Sequence, residues 1–257
     1  MTSTRSITVA PNRRLIFTSL LRADFIVLLK NRRSLVLSIL LPYIILVSTN
    51  SNKGTANLGG ALFVIGLSIT FGIASTSIMG YSLAVARDRE KGVFQRLRVT
   101  PASTWAIMAS RLSLQILANL IIALVVLILG CRIHHLSLSA GQYGLVLLIS
   151  ILGGTMFLCI AQALVALVKS SDTVTATARL IYIALIFLGL LGQSGSLGHA
   201  WDTAAKWSPV GTVMTLFAGV LKLSAWNARD LESLLVVIGY IVVFAVVGIR
   251  WFQWEVR

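Results

Sequence analysis

A charged segment, Arg87–Pro101, lies between two long apolar runs and holds the residues best suited to contact a soluble partner. It contains two of the chain's eight acids and five of its twenty-two lysines and arginines. Charges at this density are too costly to place in hydrocarbon, so the segment is predicted to be a loop in water. A short helix is predicted inside it, with Asp88 and Glu90 first and arginines last, the favourable order for a helix dipole.

Three apolar side chains, Val93, Phe94 and Leu97, form a stripe on this short helix. An exposed apolar stripe framed by charges is suited to docking into a groove on another protein. The alternative is a solvated loop whose arginines bind lipid phosphates. The chemistry indicated here is therefore binding rather than catalysis.

The common motifs of catalysis and nucleotide binding do not occur in the sequence. There is no GxxxxGK[ST], GxSxG, HExxH or CxxC pattern. Cys131 and Cys159 lack metal-ligand spacing, and the adjacent His134 and His135 are expected in an exposed loop. The chain is predicted not to be an enzyme by itself, to hold no metal and to bind no cofactor.

The composition indicates an integral membrane protein. The chain is 57% hydrophobic and 12% charged, whereas soluble domains carry about a quarter charged residues. Several apolar runs approach or exceed the roughly 20 residues that cross a bilayer as a helix. The predicted fold is all-α, with residues 34–257 forming a domain of six transmembrane helices. These are expected at Ser34–Thr49, Leu58–Ala86, Ala102–Gly130, Gln142–Val168, Thr173–Leu191 and Glu232–Ile249.

Residues 1–33 are predicted to be a cytoplasmic N-terminus with an amphipathic helix in the headgroup plane. Phe17, Leu21 and Phe25 lie on its apolar side at helical spacing. Asp24 projects from that same side. Its carboxylate is expected either to pair with a neighbouring basic loop or to serve in sensing or gating.

Two polar features within the apolar runs are candidates for a substrate path. Small residues recur at every fourth position of the second run, a pattern that favours close helix packing. This ribbon consists of Ser68, Gly72, Thr76, Gly80 and Ala84. Gln115 and Asn119 share one face of the third run. The ribbon could pack within the chain, form a subunit interface or line a conduit, and the two amides could form hydrogen bonds between helices or line the same path. The candidates for a substrate path are Gly72, Thr76, Gln115 and Asn119.

Residues 192–231, between the fifth and sixth runs, differ from the other connections. They combine glycines and three tryptophans with an apolar piece, Val210–Leu223, that is too short to span. The segment is predicted to form re-entrant or interfacial helices at the outer surface.

The positions of lysine and arginine predict the orientation. With six spans, seventeen of the twenty-two lie on the side of the N-terminus and five on the other side. By the positive-inside rule, both termini and the charged segment are expected in the cytoplasm.

The run from Glu90 to Pro101, Glu-Lys-Gly-Val-Phe-Gln-Arg-Leu-Arg-Val-Thr-Pro, resembles the coupling-helix loop of type-2 ABC exporter permeases, in particular the daunorubicin-type drug-resistance group. The family pattern is roughly E-[KR]-x-[GR]-T-x-E-x-[LM]-x-x-[TS]-P. The sequence departs from it at Val93 and Gln95, where threonine and glutamate are usual. The amphipathic helix, the six spans and the broken outer segment match the same family.

This resemblance implies a permease subunit that works with two separate ATPase subunits and a second permease, identical or different. ATP and Mg would be bound by the ATPase partners, and no nucleic acid is involved. The implied coupling residues are Asp88, Glu90, Gly92, Val93, Phe94, Gln95, Leu97, Thr100 and Pro101.

The resemblance further implies export of a hydrophobic or amphipathic drug, antibiotic or lipid across a bacterial inner membrane. An ion-coupled carrier that uses Arg111, Gln115, Asn119 and Arg179 is one alternative. An intramembrane enzyme that acts on lipids is another.

Overall fold

The computed structural model describes residues 18–19, 22, 25–26, 32–49, 60–93, 104–191, 199–222 and 227–251. Every regular element in these residues is a helix, which confirms the predicted all-α fold. The helices are α1 (Arg32–Ser48), α2 (Ala61–Glu90), α3 (Thr104–Ile133), α4 (Ala140–Leu167), α5 (Ser171–Leu191), α6 (His199–Trp207), α7 (Pro209–Leu221) and α8 (Ala228–Arg250).

Five of these helices, α2, α3, α4, α5 and α8, are long and apolar enough to cross a membrane. Helix α1 has 17 residues with Pro42 inside it, and its apolar part, Ile39–Ser48, is shorter. The chain is therefore a multi-pass membrane protein, and the count of six spans stays a prediction.

The second transmembrane helix is longer than predicted at its charged end. It continues to Glu90 instead of ending at Ala86, so Arg87–Glu90 is helical and the prediction of a loop was wrong for these four residues. The helix can continue because Arg89 turns into the bundle and finds partners there, as described below. Charge density alone did not reveal that burial.

The last helix also begins four residues earlier than predicted, at Ala228 instead of Glu232. A capping box explains the earlier start. The Asn227 side chain accepts a hydrogen bond from the Arg229 amide over 3.0 Å, and the Asp230 carboxylate accepts one from the Asn227 amide over 2.8 Å. The polar residues that resembled loop composition are thus the start of α8.

Helix α2 is the central element of the bundle. All residues from Val64 to Ala74 are buried, and α2 packs against α1, α3, α4, α5 and α7. A helix that is apolar and buried all round is typical of the interior of a membrane domain. The outer helices expose large apolar side chains instead, among them Leu180, Phe187 and Leu235.

The segment between α5 and α8 divides into two helices with different surroundings. Helix α6 exposes Trp201 and Trp207, as expected for an interfacial helix. Helix α7 is buried along most of its length and packs among α2, α4, α5 and α8. A re-entrant helix packs among the spans in this way, so the burial of α7 is consistent with the prediction of re-entrant or interfacial helices.

Helix α7 is buried because three other helices present glycines to one of its faces. Its contacting side chains, Val210, Val213 and Phe217, follow helical spacing. A Cβ at each facing glycine would lie 2.8–3.0 Å from one of them, with Gly189 of α5 facing Val210, Gly153 of α4 facing Val213 and Gly66 of α2 facing Phe217. Only glycine permits this approach without displacement.

We expect Gly189→Ala to destabilise the protein by about 1–3 kcal/mol, the usual cost of overpacking a core. The added methyl would lie 2.8 Å from Cγ1 of Val210 and 3.0 Å from Cζ of Phe71, neither of which is the end of a flexible chain. Thermal unfolding in detergent measures the effect.

Gly239→Ala is the matched control, because Gly239 is an exposed helical glycine with nothing within 4 Å of its Cβ position. Equal melting temperatures for the two variants would contradict the proposed packing of α7.

Candidate functional site

Four of the nine predicted coupling residues lie within the described part of the chain. Asp88 and Glu90 are in the last turn of α2, and Gly92 and Val93 follow it directly. The other five, Phe94, Gln95, Leu97, Thr100 and Pro101, lie outside the described residues. The structure therefore describes the part of the site that joins the coupling residues to the membrane domain.

Gly92 ends α2 and redirects the chain. Its φ of +67° is in the left-handed region that favours glycine. The Lys91 amide still donates to the Arg87 carbonyl over 3.0 Å, and the Gly92 amide donates to that of Arg89 over 3.1 Å. A left-handed glycine after the last helical turn is a common way to end a helix. The backbone therefore changes direction immediately after the last turn of α2.

Asp88 connects the end of α2 to α3. Its Oδ2 lies 2.7 Å from Nη1 of Arg111, and the two side chains are 33% and 14% exposed. Partial burial reduces solvent screening, so this ion pair is stronger than a fully exposed one. Arg111 is one of the residues that an ion-coupled carrier would have used, and here it forms an interhelical contact.

Arg89 is the residue at this site that the sequence analysis missed. Its side chain is only 5% exposed. Nη1 donates to the Val165 carbonyl over 2.9 Å, and Nη2 donates to the carbonyls of Val168 and Lys169 over 2.6 and 2.7 Å. These carbonyls belong to the end of α4 and the residues just after it, where no helical amide is available to them.

A signal in the sequence could have identified Arg89. The buried residues of this turn, Ser82, Val85, Ala86 and Arg89, follow the spacing i, i+3, i+4, i+7. Arg89 thus continues the buried face of α2, whereas Arg87, two residues earlier, is exposed.

Glu90 connects the end of α2 to α5. Its Oε1 accepts a hydrogen bond from the Ser171 amide over 2.8 Å. Ser171 is the first residue of α5, where a carboxylate is favoured by the free amides and the helix dipole. Arg89 and Glu90 together therefore bind both sides of the turn between α4 and α5.

The four residues predicted for a substrate path come together in the interior. The Thr76 hydroxyl donates to Oδ1 of Asn119 over 2.6 Å and lies 3.0 Å from the Gly72 carbonyl oxygen. Gln115 Nε2 donates to the Thr76 carbonyl over 3.1 Å, and Asn119 Nδ2 donates to Oγ of Ser77 over 2.9 Å. These bonds satisfy amides that would otherwise be costly among apolar residues.

This polar cluster surrounds a π-helical turn, Ser75–Tyr81, in the middle of α2. The sequence analysis did not predict this turn. Tyr81 extends its contacts to α4, where its hydroxyl donates to Oε1 of Gln162 over 2.7 Å. Such turns are rare and occur frequently at functional sites. The side chains of α3 and α4 therefore hold α2 where its backbone departs from α-helical geometry.

The predicted interfacial helix is described only in part. Phe25 is helical and 40% exposed, as is its neighbour Ile26 at 44%. Phe17, Leu21 and Asp24 lie outside the described residues. The role of Asp24 stays a prediction.

Comparison with known proteins gives one match. A family model described as ABC-2 type transporter matches residues 16–222, which include α1 to α7 and the charged segment. A search of curated proteins found no match.

We expect Asn119→Leu to lower the free energy of unfolding by about 1–2 kcal/mol, in the range of interhelical hydrogen bonds in membranes. The substitution leaves the hydroxyls of Thr76 and Ser77 without the amide that they contact. Unfolding in detergent by heat or denaturant measures the loss. Ser113→Leu, an equally large apolar change at an exposed position of the same helix, should leave stability nearly unchanged. Equal effects would contradict a structural role for the Asn119 amide.

Proposed function

The chain belongs to the ABC-2 type transporter family, and we propose that it is the permease subunit of an ATP-driven exporter whose ATPase subunits are separate chains. The observation that carries this proposal is the end of α2. The central helix of the bundle continues into the charged segment as far as Glu90, and Gly92 redirects the chain directly after it. A force applied to that segment would therefore act on the most deeply buried helix.

In the proposed cycle, the short helix of the charged segment docks into a groove on an ATPase subunit through Val93, Phe94 and Leu97. The ATPase subunits bind ATP and Mg, and their closure displaces the docked helix. The chain itself supplies the mechanical connection and no catalytic group. Val93 and Gln95, the two departures from the family pattern, are the positions where we expect partner specificity to reside.

The exported molecule is proposed to be hydrophobic or amphipathic, such as a drug, an antibiotic or a lipid. It would leave between this chain and a second permease, identical or paralogous. The positive charges on the side of the N-terminus favour cytoplasmic termini in a bacterial inner membrane. The polar cluster of Gln115, Asn119 and Thr76 uses its hydrogen bonds within the chain, so we propose a structural role for it in this conformation.

Co-purification tests the central proposal. We expect the tagged chain, purified from its native membrane, to retain an ABC ATPase subunit, and Phe94→Asp to reduce the amount retained about tenfold or more. A carboxylate in an apolar groove loses its hydration without gaining a partner.

Trp207→Asp is the matched control. It places the same charge at an exposed aromatic position on α6, outside the charged segment, and should leave the ATPase bound. If the wild-type chain retains no ATPase, or if the Phe94 variant retains it fully, the proposal is wrong. Transport that survives ATP depletion but stops when the proton gradient collapses would favour the ion-coupled carrier instead.

A further inference from the structure

The turn between α4 and α5 is attached to α2 by two neighbouring residues of opposite charge. Arg89 donates to three carbonyls at the end of α4, and Glu90 accepts from the first amide of α5. We call this pair of contacts the Arg89–Glu90 clamp. It joins residues that are separated by 76 to 81 positions in the sequence.

The charges of the clamp match the helix ends that they contact. The carboxyl end of a helix carries partial negative charge and the amino end partial positive charge. Arg89 contacts the carboxyl end of α4 and Glu90 contacts the amino end of α5, so each contact is a charge-assisted hydrogen bond. The clamp therefore holds both helices by their ends, and the exchange of either charge would reverse a favourable interaction.

The chemistry of arginine suits this position in a way that lysine would not. A planar guanidinium can donate to several fixed acceptors at once, whereas an ammonium group is a compact point charge on a flexible stem. Arg89 uses two nitrogens on three carbonyls while its Nε is buried without a hydrogen-bond partner. A buried N–H without a partner costs free energy, and the other contacts of the guanidinium must offset that cost.

The clamp lies in the first part of the charged segment, at the last turn of α2. Only Lys91 separates Glu90 from the Gly92 turn. A displacement of the residues that follow Gly92 reaches Glu90 and Arg89 before it reaches any earlier part of α2. Asp88 adds α3 to the same assembly through Arg111.

We propose that Arg89 and Glu90 are positioning residues that make the end of α2 and the α4–α5 turn move as one body, so that motion of the charged segment reaches three transmembrane helices instead of one. This inference rests on the proposed function. It adds that the residues Val168–Ser171 follow the ATPase through the contacts of Arg89 and Glu90.

Distance measurements between spin labels in the complex with its ATPase test this inference. One label pair replaces Lys91 and Lys169, both exposed, and reports on the two sides of the clamp. A second pair replaces Lys91 and Ser48, an exposed residue at the end of α1, and reports whether nucleotide moves the charged end of α2. Cys131 and Cys159 are first replaced by alanine, and each pair is measured without nucleotide and after trapping with ATP and vanadate.

In the wild-type background, we expect nucleotide to change the Lys91–Ser48 distance. The Lys91–Lys169 distance distribution should stay narrow, and its mean should stay within about 2 Å of the value without nucleotide. Arg89→Gln and Glu90→Ala should broaden the Lys91–Lys169 distribution and make it depend on nucleotide. Arg87→Gln removes the same charge from an exposed position of the same turn and should change nothing.

Two conservative variants separate positioning from folding. Glu90→Gln keeps an acceptor oxygen for the Ser171 amide and should keep the Lys91–Lys169 distribution narrow. Arg89→Lys keeps the charge but not the planar group, and it should broaden that distribution. A Lys91–Lys169 distance that shifts by more than about 5 Å with nucleotide in the wild-type background overturns the inference. A narrow distribution in both Arg89→Gln and Glu90→Ala also overturns it. Failure of the ATPase to bind, or a Lys91–Ser48 distance that ignores nucleotide, counts instead against the proposed function.

Discussion

A helical bundle in a membrane has to satisfy its backbone amides and carbonyls without water, and those at helix ends have no partner within their own helix. Several helix ends in the described part of the chain are satisfied by side chains from a distant helix, and two of these ends contact the end of α2. Arg89 covers the last carbonyls of α4, and Glu90 covers the first amide of α5. The arrangement requires α2 to extend one turn beyond its apolar run, and that requirement determines that the helix ends at Glu90.

The same constraint explains the other helix ends that are described in detail. Ser139 and Gln142 form a capping box at the start of α4, and the Ser208 hydroxyl accepts from the Gly211 amide at the start of α7. These caps use side chains only two or three residues away, so local sequence is enough to specify them. The clamp on α4 and α5 depends instead on tertiary structure. That difference separates the helix ends that could be predicted from those that could not.

The sequence was sufficient to predict the fold class, the approximate position of each long helix and the family. It predicted these because apolar runs of membrane-spanning length and a local motif are properties of contiguous residues. Arg89 was missed because its partners are 76 to 80 positions away. The glycine contacts of α7 were missed for a related reason, since Gly66, Gly153 and Gly189 lie in three different helices.

Helix α2 combines these features along its length. Its half from Val64 to Ala74 is buried, and Gly66 within that half contacts α7, while its charged end is fixed to α4 and α5 by the clamp. Between them lies the π-helical turn Ser75–Tyr81, whose backbone geometry is the least regular in the helix. Kinks in long helices occur preferentially at such turns. Because packing fixes both halves, a change in the angle between them would be concentrated at this turn, where Asn119 and Gln115 donate hydrogen bonds to α2.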